Sequence, residues 1–262
     1  MVTWLEPGGF NAYVTQTPLY GRRPSPGGRR DRDPTLAELQ RHVDQFVLHY
    51  DGGGLSRICF EVLQKRGLSV HFLLDVDGTI YQTLDLQERA WHAGMANDRS
   101  IGVEIANIGA YAPREAGILD KWYQRGPAGQ TRLVPPRTAG VAPVRTPGFQ
   151  GRPQRPERIR GRINARELVQ YDFTPQQYAA LIKLTAALHQ VFPGIALDYP
   201  RDQRGRLVAG KLTDAQLAGF RGVLGHFHID ANKYDPGPAF QWDPVIARAR
   251  RESPSAHTPD QP

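Results

Sequence analysis

Apolar positions recur along this chain in two rhythms. Phe46-Val47-Leu48-His49-Tyr50 is a short apolar run closed by Asp51-Gly52-Gly53-Gly54, the pattern of a buried strand ended by a turn. Leu55, Ile58, Cys59, Val62 and Leu63 then recur at i, i+3, i+4 spacing, which predicts a helix with one apolar face, and Gly67 is placed to end it. Residues 70–74 and 79–82 read as two strands, with Asp77-Gly78 as the hairpin signal between them. Trp91-His92-Ala93-Gly94 reads as a loop. In the stretch 100–107, Ile101, Val103 and Ile105 alternate with smaller or polar residues, which predicts another strand whose Glu104 points away from its apolar neighbours.

A helical rhythm returns at Thr174-Pro175, an N-cap residue followed by a first-turn proline. Tyr178, Leu181, Ile182, Thr185 and Leu188 share one face, and Pro193-Gly194 stops the helix. Val223-Leu224 leads into a histidine-bearing segment, and Asp243-Pro244 opens a last helix running to about Arg251. Strands interspersed with helices predict an α/β (α+β) domain, a mixed central sheet with flanking helices.

Two stretches depart from these rhythms. Residues 1–34 are rich in Gly, Pro and Arg and read as an extended arm with no core of its own; 35–40 form a short helix at the domain's start. Within a single domain spanning 35–251, residues 109 to about 170 are dominated by proline, glycine and arginine. They read as an inserted excursion, partly ordered at best. Residues 252–262 read as a frayed tail.

Charge sharpens this picture only locally. The net charge is +7, and much of the excess lies in the insertion, with Arg152, Arg155, Arg158, Arg160, Arg162 and Arg166 close together. These arginines lack interleaved aromatics and any readout motif, so no specific nucleic-acid partner is expected. A solvated excursion or a contact surface for an anionic polymer both fit. A single cysteine, Cys59, excludes an internal disulfide and reads as a small core residue. No apolar run approaches the roughly 18 residues of a membrane span. The first residues lack a charged n-region and an apolar h-region, which leaves three readings open: a cytoplasmic protein, export by another route, or a mature envelope or secreted form.

The densest chemistry lies between Gly225 and Pro238. His226, His228, Asp235 and Lys233 fall in one short segment ending in Asp235-Pro236-Gly237-Pro238. Imidazole nitrogen and carboxylate oxygen are ligand types Zn²⁺ accepts at about 2.0–2.2 Å, and three protein ligands plus a water make a hydrolytic site. The segment offers two ligands at most, so a third comes from afar, and His49 in its apolar strand is the best candidate. His226 and His228 stand two apart, so strand alternation does not choose between them. His71 alternates with apolar neighbours and reads as structural.

Four signatures occur in order: Val47-Leu48-His49; Asp77-Gly78-Thr79-Ile80-Tyr81-Gln82; Arg89-Ala90-Trp91-His92-Ala93-Gly94 with Ser100-Ile101-Gly102-Val103-Glu104; and Gly225-His226 through Asp235-Pro236-Gly237-Pro238 to Trp242. Over about residues 43–250, insertion excluded, the chain resembles the zinc-dependent N-acetylmuramoyl-L-alanine amidases, a fold shared with certain phage lysozymes and with peptidoglycan recognition proteins. The resemblance implies a mixed sheet, a zinc ion in a groove, and hydrolysis of the amide joining N-acetylmuramic acid to the first L-alanine of the stem peptide. It implies His49, His226 and Asp235 as metal ligands, the glycine before His226 favouring that residue over His228. Glu104 and Lys233 match positions associated with catalysis, and His92 matches a histidine lining the groove as a substrate contact. The expected partner is peptidoglycan or its muropeptides, and the expected state a monomer. A non-catalytic peptidoglycan-binding module on the same fold is the alternative.

Overall fold

The computed structural model describes residues 20–23, 34–127, 129–136 and 144–253. The rest of the expected arm, and the tail beyond 253, lie outside the described residues. In chain order the elements are β1 (Tyr20–Arg22), α1 (Leu36–His42), β2 (Gln45–Tyr50), α2 (Ser56–Arg66), β3 (Phe72–Leu74), β4 (Ile80–Gln82), β5 (Glu88–Ala90) and β6 (Ser100–Ile105). There follow β7 (Tyr123–Arg125), β8 (Thr131–Leu133), β9 (Arg158–Ile163), β10 (Arg166–Tyr171), α3 (Pro175–Val191), α4 (Asp214–Gly219), β11 (Gly222–Gly225) and α5 (Trp242–Glu252).

The main sheet has the order β11-β2-β6-β3-β4. Its first four strands run parallel and β4 returns antiparallel to β3, so the sheet is mixed, as the interspersed rhythms require. The hairpin turns at Gly78, whose φ of 85° suits a residue without a Cβ. Phe46, Leu48, Phe72, Ile101 and Val103 are fully or almost fully buried between the sheet and α3 with α5. On α3 the whole predicted face, Tyr178, Leu181, Ile182, Thr185 and Leu188, is buried. Each large apolar side chain so enclosed contributes about 1.5–3 kcal/mol. Thr174 caps the helix reciprocally with Gln177, the two satisfying each other's backbone N–H groups.

Helix α2 keeps to its predicted span and ends at Gly67, which adopts the left-handed conformation. Its face is narrower than predicted, however. Cys59 and Leu63 are buried, while Val62 is 41% exposed because that edge of the helix borders a cavity rather than the core.

Two expectations change more. The excursion at 109–170 is folded over most of its length. A 3₁₀ segment at Pro113–Lys121, the pair β7–β8 and the antiparallel hairpin β9–β10 occupy it, and Trp122, Tyr123, Val169 and Tyr171 build an apolar cluster with Leu55 and Val76 of the main body. Its arginines also do structural work. Arg155 pairs with the fully buried Asp172, Arg158 with Asp120 and Arg166 with Glu115. The arm is the second case, since Tyr20–Arg22 forms a strand antiparallel to β5 and Arg23 is buried.

Candidate metal centre

Sheet register brings the functional groups together. Strand β2 carries His49 next to its C-terminal end. Strand β11 lies parallel beside it with Gly225 opposite Leu48, so the chain leaves β11 with His226 next to His49. On the other flank β6 sets Glu104 opposite His49. The loop after His226 then returns Asp235.

His49 Nδ1 lies 3.0 Å from His226 Nδ1 and 2.8 Å from Asp235 Oδ2, and His226 Nδ1 lies 3.0 Å from the same oxygen. Three donor atoms from positions 49, 226 and 235 thus face one point. His228 takes no part. It is fully buried, its Nδ1 accepting from Gly225 N and its Nε2 donating to Val208 O, so it serves as a strut beneath the loop.

The protonation states suit a cation. Burial, reinforced by His226, pushes the His49 ring down to about 4, so at neutral pH it presents a lone pair. Burial works against the Asp235 carboxylate, but the His226 and His49 rings outweigh it and hold the group below the usual carboxylate range. A metal there displaces no proton from His49 or Asp235 at neutral pH. Two imidazoles and a carboxylate are also a donor number and kind that zinc takes in hydrolytic sites. The residues fit such an ion.

The donor atoms open onto a cavity of about 270 Å³. Glu104, Lys233, Trp91, Arg66 and Asp51 line it with them. Glu104 is half-buried, and its Oε2 has no hydrogen-bond partner among the described residues. Burial first, then the Asp235 and Asp51 carboxylates, push it well above the ordinary carboxylate range, while Lys233 opposes them. Asp51, read from the sequence as a turn residue, keeps that role by accepting from Gly53 and Gly54 N–H. It also faces the cavity, and burial pushes it up to about 7.

His92 borders the cavity, but both ring nitrogens are engaged within the protein. Its Nδ1 stands 3.0 Å from His49 Nε2, and its Nε2 stands 3.1 Å from Ser100 Oγ. With a cation on His49 Nδ1, His49 Nε2–H would donate to His92 Nδ1, and His92 Nε2–H would meet the serine. His92 therefore lines the cavity while also contacting His49. Gly102 makes room for it, because a Cβ there would stand 2.5 Å from His92 Nδ1.

Sequence reasoning missed the braces around the loop. Asn164, at the tip of the β9–β10 hairpin, donates to Lys233 O at 2.8 Å. Gln170 of β10 donates to Pro236 O and accepts from Ala239 N, both at 3.0 Å. The alternation Arg158-Ile159-Arg160-Gly161-Arg162-Ile163 was the available signal for a strand here.

A hydrolytic α/β enzyme is the class that this sheet and this cluster define. The chain belongs to the amidase-2 family, N-acetylmuramoyl-L-alanine amidase, whose profile matches residues 39–238. Among solved structures, the chain is similar to a selenomethionine derivative of AmpD, at 19% identity and a TM-score of 0.42, over 90% of this chain and 91% of that one. It is also similar to AmiD from E. coli in complex with anhydro-N-acetylmuramic acid-L-Ala-D-γ-Glu-L-Lys, at 19% identity and a TM-score of 0.42, over 84% and 60%. A third is the amidase LysC from Clostridium intestinale, at 15% identity and a TM-score of 0.40, over 81% and 88%. No curated protein sequence matches the chain. No described helix is long and apolar enough to cross a membrane.

Proposed function

We propose that this protein is a zinc-dependent hydrolase that cuts the amide between the lactyl group of N-acetylmuramic acid and the first L-alanine of the peptidoglycan stem peptide. The observation that carries the reading is the meeting of His49, His226 and Asp235 at one point, in the cavity that also holds Glu104. His49 Nδ1, His226 Nδ1 and Asp235 Oδ2 would hold the ion. When bound, zinc supplies a Lewis acid that brings the pKa of a water towards about 7.

The chain's own groups do the rest. Glu104, next to His49 across the β2–β6 register, takes the proton of the attacking water on its unpartnered Oε2 and returns it to the departing L-alanine nitrogen. An amine leaves poorly unless protonated, so this return is as necessary as the attack. A carboxyl held above the ordinary range is suited to carrying a proton both ways near neutral pH. Lys233 offers its ammonium to the oxygen on which charge develops, a type of contact worth about 2.7–4 kcal/mol elsewhere. His92 keeps the His49 ring turned so that Nδ1 faces the cluster.

Release of stem peptide from purified muropeptide, assayed with zinc content on the same preparation, tests this. His49→Ala is expected to lose both. Full turnover in a zinc-free His49→Ala protein would contradict the reading.

A further inference from the structure

The N-terminal residues 20–23 lie outside the stretch matched by the family profile, 39–238, and carry none of the proposed chemistry. Their hydrogen bonds nonetheless reach the loop behind the cluster. Arg23 is 3% exposed. Its Nε donates to Leu86 O at 3.0 Å, its Nη1 to Asp98 O at 2.9 Å and Asn97 O at 3.4 Å, and its Nη2 to Ser100 O at 2.7 Å. Four backbone carbonyls, from Leu86, Asn97, Asp98 and the first residue of β6, Ser100, therefore close on one guanidinium. Its Nη2 also rests 3.0 Å from His71 Nε2. Since His71 Nδ1 accepts from Gly102 N, that Nε2 carries the hydrogen and donates to Glu88 O. Strand β1 fixes the approach by pairing Tyr20 with Ala90 and Arg22 with Glu88.

Those contacts end on the support of His49. Asn97, whose carbonyl Arg23 holds, accepts from His92 N at 3.1 Å and Ala93 N at 2.7 Å through its own side chain. Ser100, whose carbonyl Arg23 also holds, places its hydroxyl on His92 Nε2. Arg23 thus holds the C-terminal end of the loop that carries His92, the Asn97 side chain links that end back to His92 and Ala93, and His92 in turn meets His49 Nε2. A buried arginine is costly to enclose unless its donors are used; here three of its four carbonyl contacts fall on Asn97, Asp98 and Ser100, where the His92 loop meets β6, and the fourth on Leu86.

We propose that residues 20–23 form a strap in which Arg23 is a positioning residue, setting the His92 ring and through it the orientation of the metal-facing His49. The inference rests on the zinc reading above. Groups that orient a metal-bound histidine typically change metal affinity by 10–100-fold when removed. Arg23 acts one step further out, so the lower end applies.

The test is zinc affinity of the full chain, measured by competition with a chromogenic chelator, alongside kcat and KM on a muropeptide. Arg23→Met is expected to bind zinc about tenfold more weakly and to lose kcat, with KM unchanged, since no strap residue lines the cavity. Ser100→Ala removes only the hydroxyl that meets His92 and is expected to weaken zinc similarly while folding as the parent does. If Arg23→Met fails to fold, Arg23→Lys, which keeps the charge but loses the fork of donors, carries the same expectation. The proposal is overturned if either folded variant binds zinc as tightly as the parent. A parent protein that binds no zinc would instead bring down the metal reading, and the strap with it, which separates the two failures.

Discussion

The central sheet and the segments that wrap it serve one site by different means. Strands β2, β6 and β11 supply the candidate site groups through register, with Glu104 opposite His49 and His226 emerging beside it. The strap at 20–23 and the β9–β10 hairpin supply none of the cluster, yet they hold the loops on which it depends. Arg23 ties down the loop of His92, and Asn164 and Gln170 tie down the loop of Lys233 and Asp235. The frame decides which groups can meet; the braces decide how well they are aimed. Damage to the frame is therefore expected to abolish chemistry, and damage to the braces to degrade it.

The largest effects fall on the frame. His49→Ala and Asp235→Ala should each lose zinc and turnover together, read by inductively coupled plasma mass spectrometry and stem-peptide release. Glu104→Gln should keep zinc at parent stoichiometry and lose about 10²–10⁴ in kcat, the range for a missing general acid–base. A Glu104→Gln protein with undiminished kcat would remove the carboxyl from the mechanism.

Acid sharpens the comparison from the other side. His71 and His228 both sit buried and neutral; burial, and for His71 also Arg23, pushes each down to about 3. The unfolded chain takes up those two protons near pH 6.5 and the folded chain refuses them, so stability is complete above about 6.5 and falls as pH drops towards about 3. Each ring should cost about 1.4 kcal/mol per pH unit across that window. Urea unfolding at successive pH values reads the slope, and His228→Gln should flatten it. An unchanged slope in that variant would mean the ring is not held neutral.

Smaller effects belong to the hairpin. Gln170→Leu strips partners from the buried Pro236 O and Ala239 N and should cost about 1–3 kcal/mol, with zinc weakened because Asp235 adjoins that turn. Asn164→Gly keeps the backbone at its φ of 46° within reach while deleting the bond to Lys233 O. It should cost about 0.5–1.5 kcal/mol and change kcat only slightly. If these brace variants matched His49→Ala in severity, the distinction between frame and brace would dissolve.

The same distinction explains what could be read from the sequence. Strands β2 and β6 and helices α2, α3 and α5 were legible because burial of one face writes a period of 2 or 3.6 into the chain. The cluster was legible because His49, His226 and Asp235 are residue types with few other reasons to recur in that arrangement, and Glu104 because alternation turned it away from the core. Arg23 was not legible. It stands in a glycine- and arginine-rich tract, and its value lies wholly in carbonyls more than sixty residues away. The β9–β10 hairpin was hidden for a similar reason, since its arginines suggested a solvated excursion although Asp172, Asp120 and Glu115 partner three of them. Val62 misled in the opposite direction, being an apolar residue spent on a cavity rim. His92 was legible as part of the site, but only its two ring contacts show that it faces inward to His49.

The most direct measurement is anomalous scattering at the zinc edge from crystals of the zinc-loaded protein. One peak is expected, about 2.0–2.2 Å from His49 Nδ1, His226 Nδ1 and Asp235 Oδ2. A peak bound by His228 or lying elsewhere, or no peak in a protein that still releases L-alanine-terminated peptide, would contradict it.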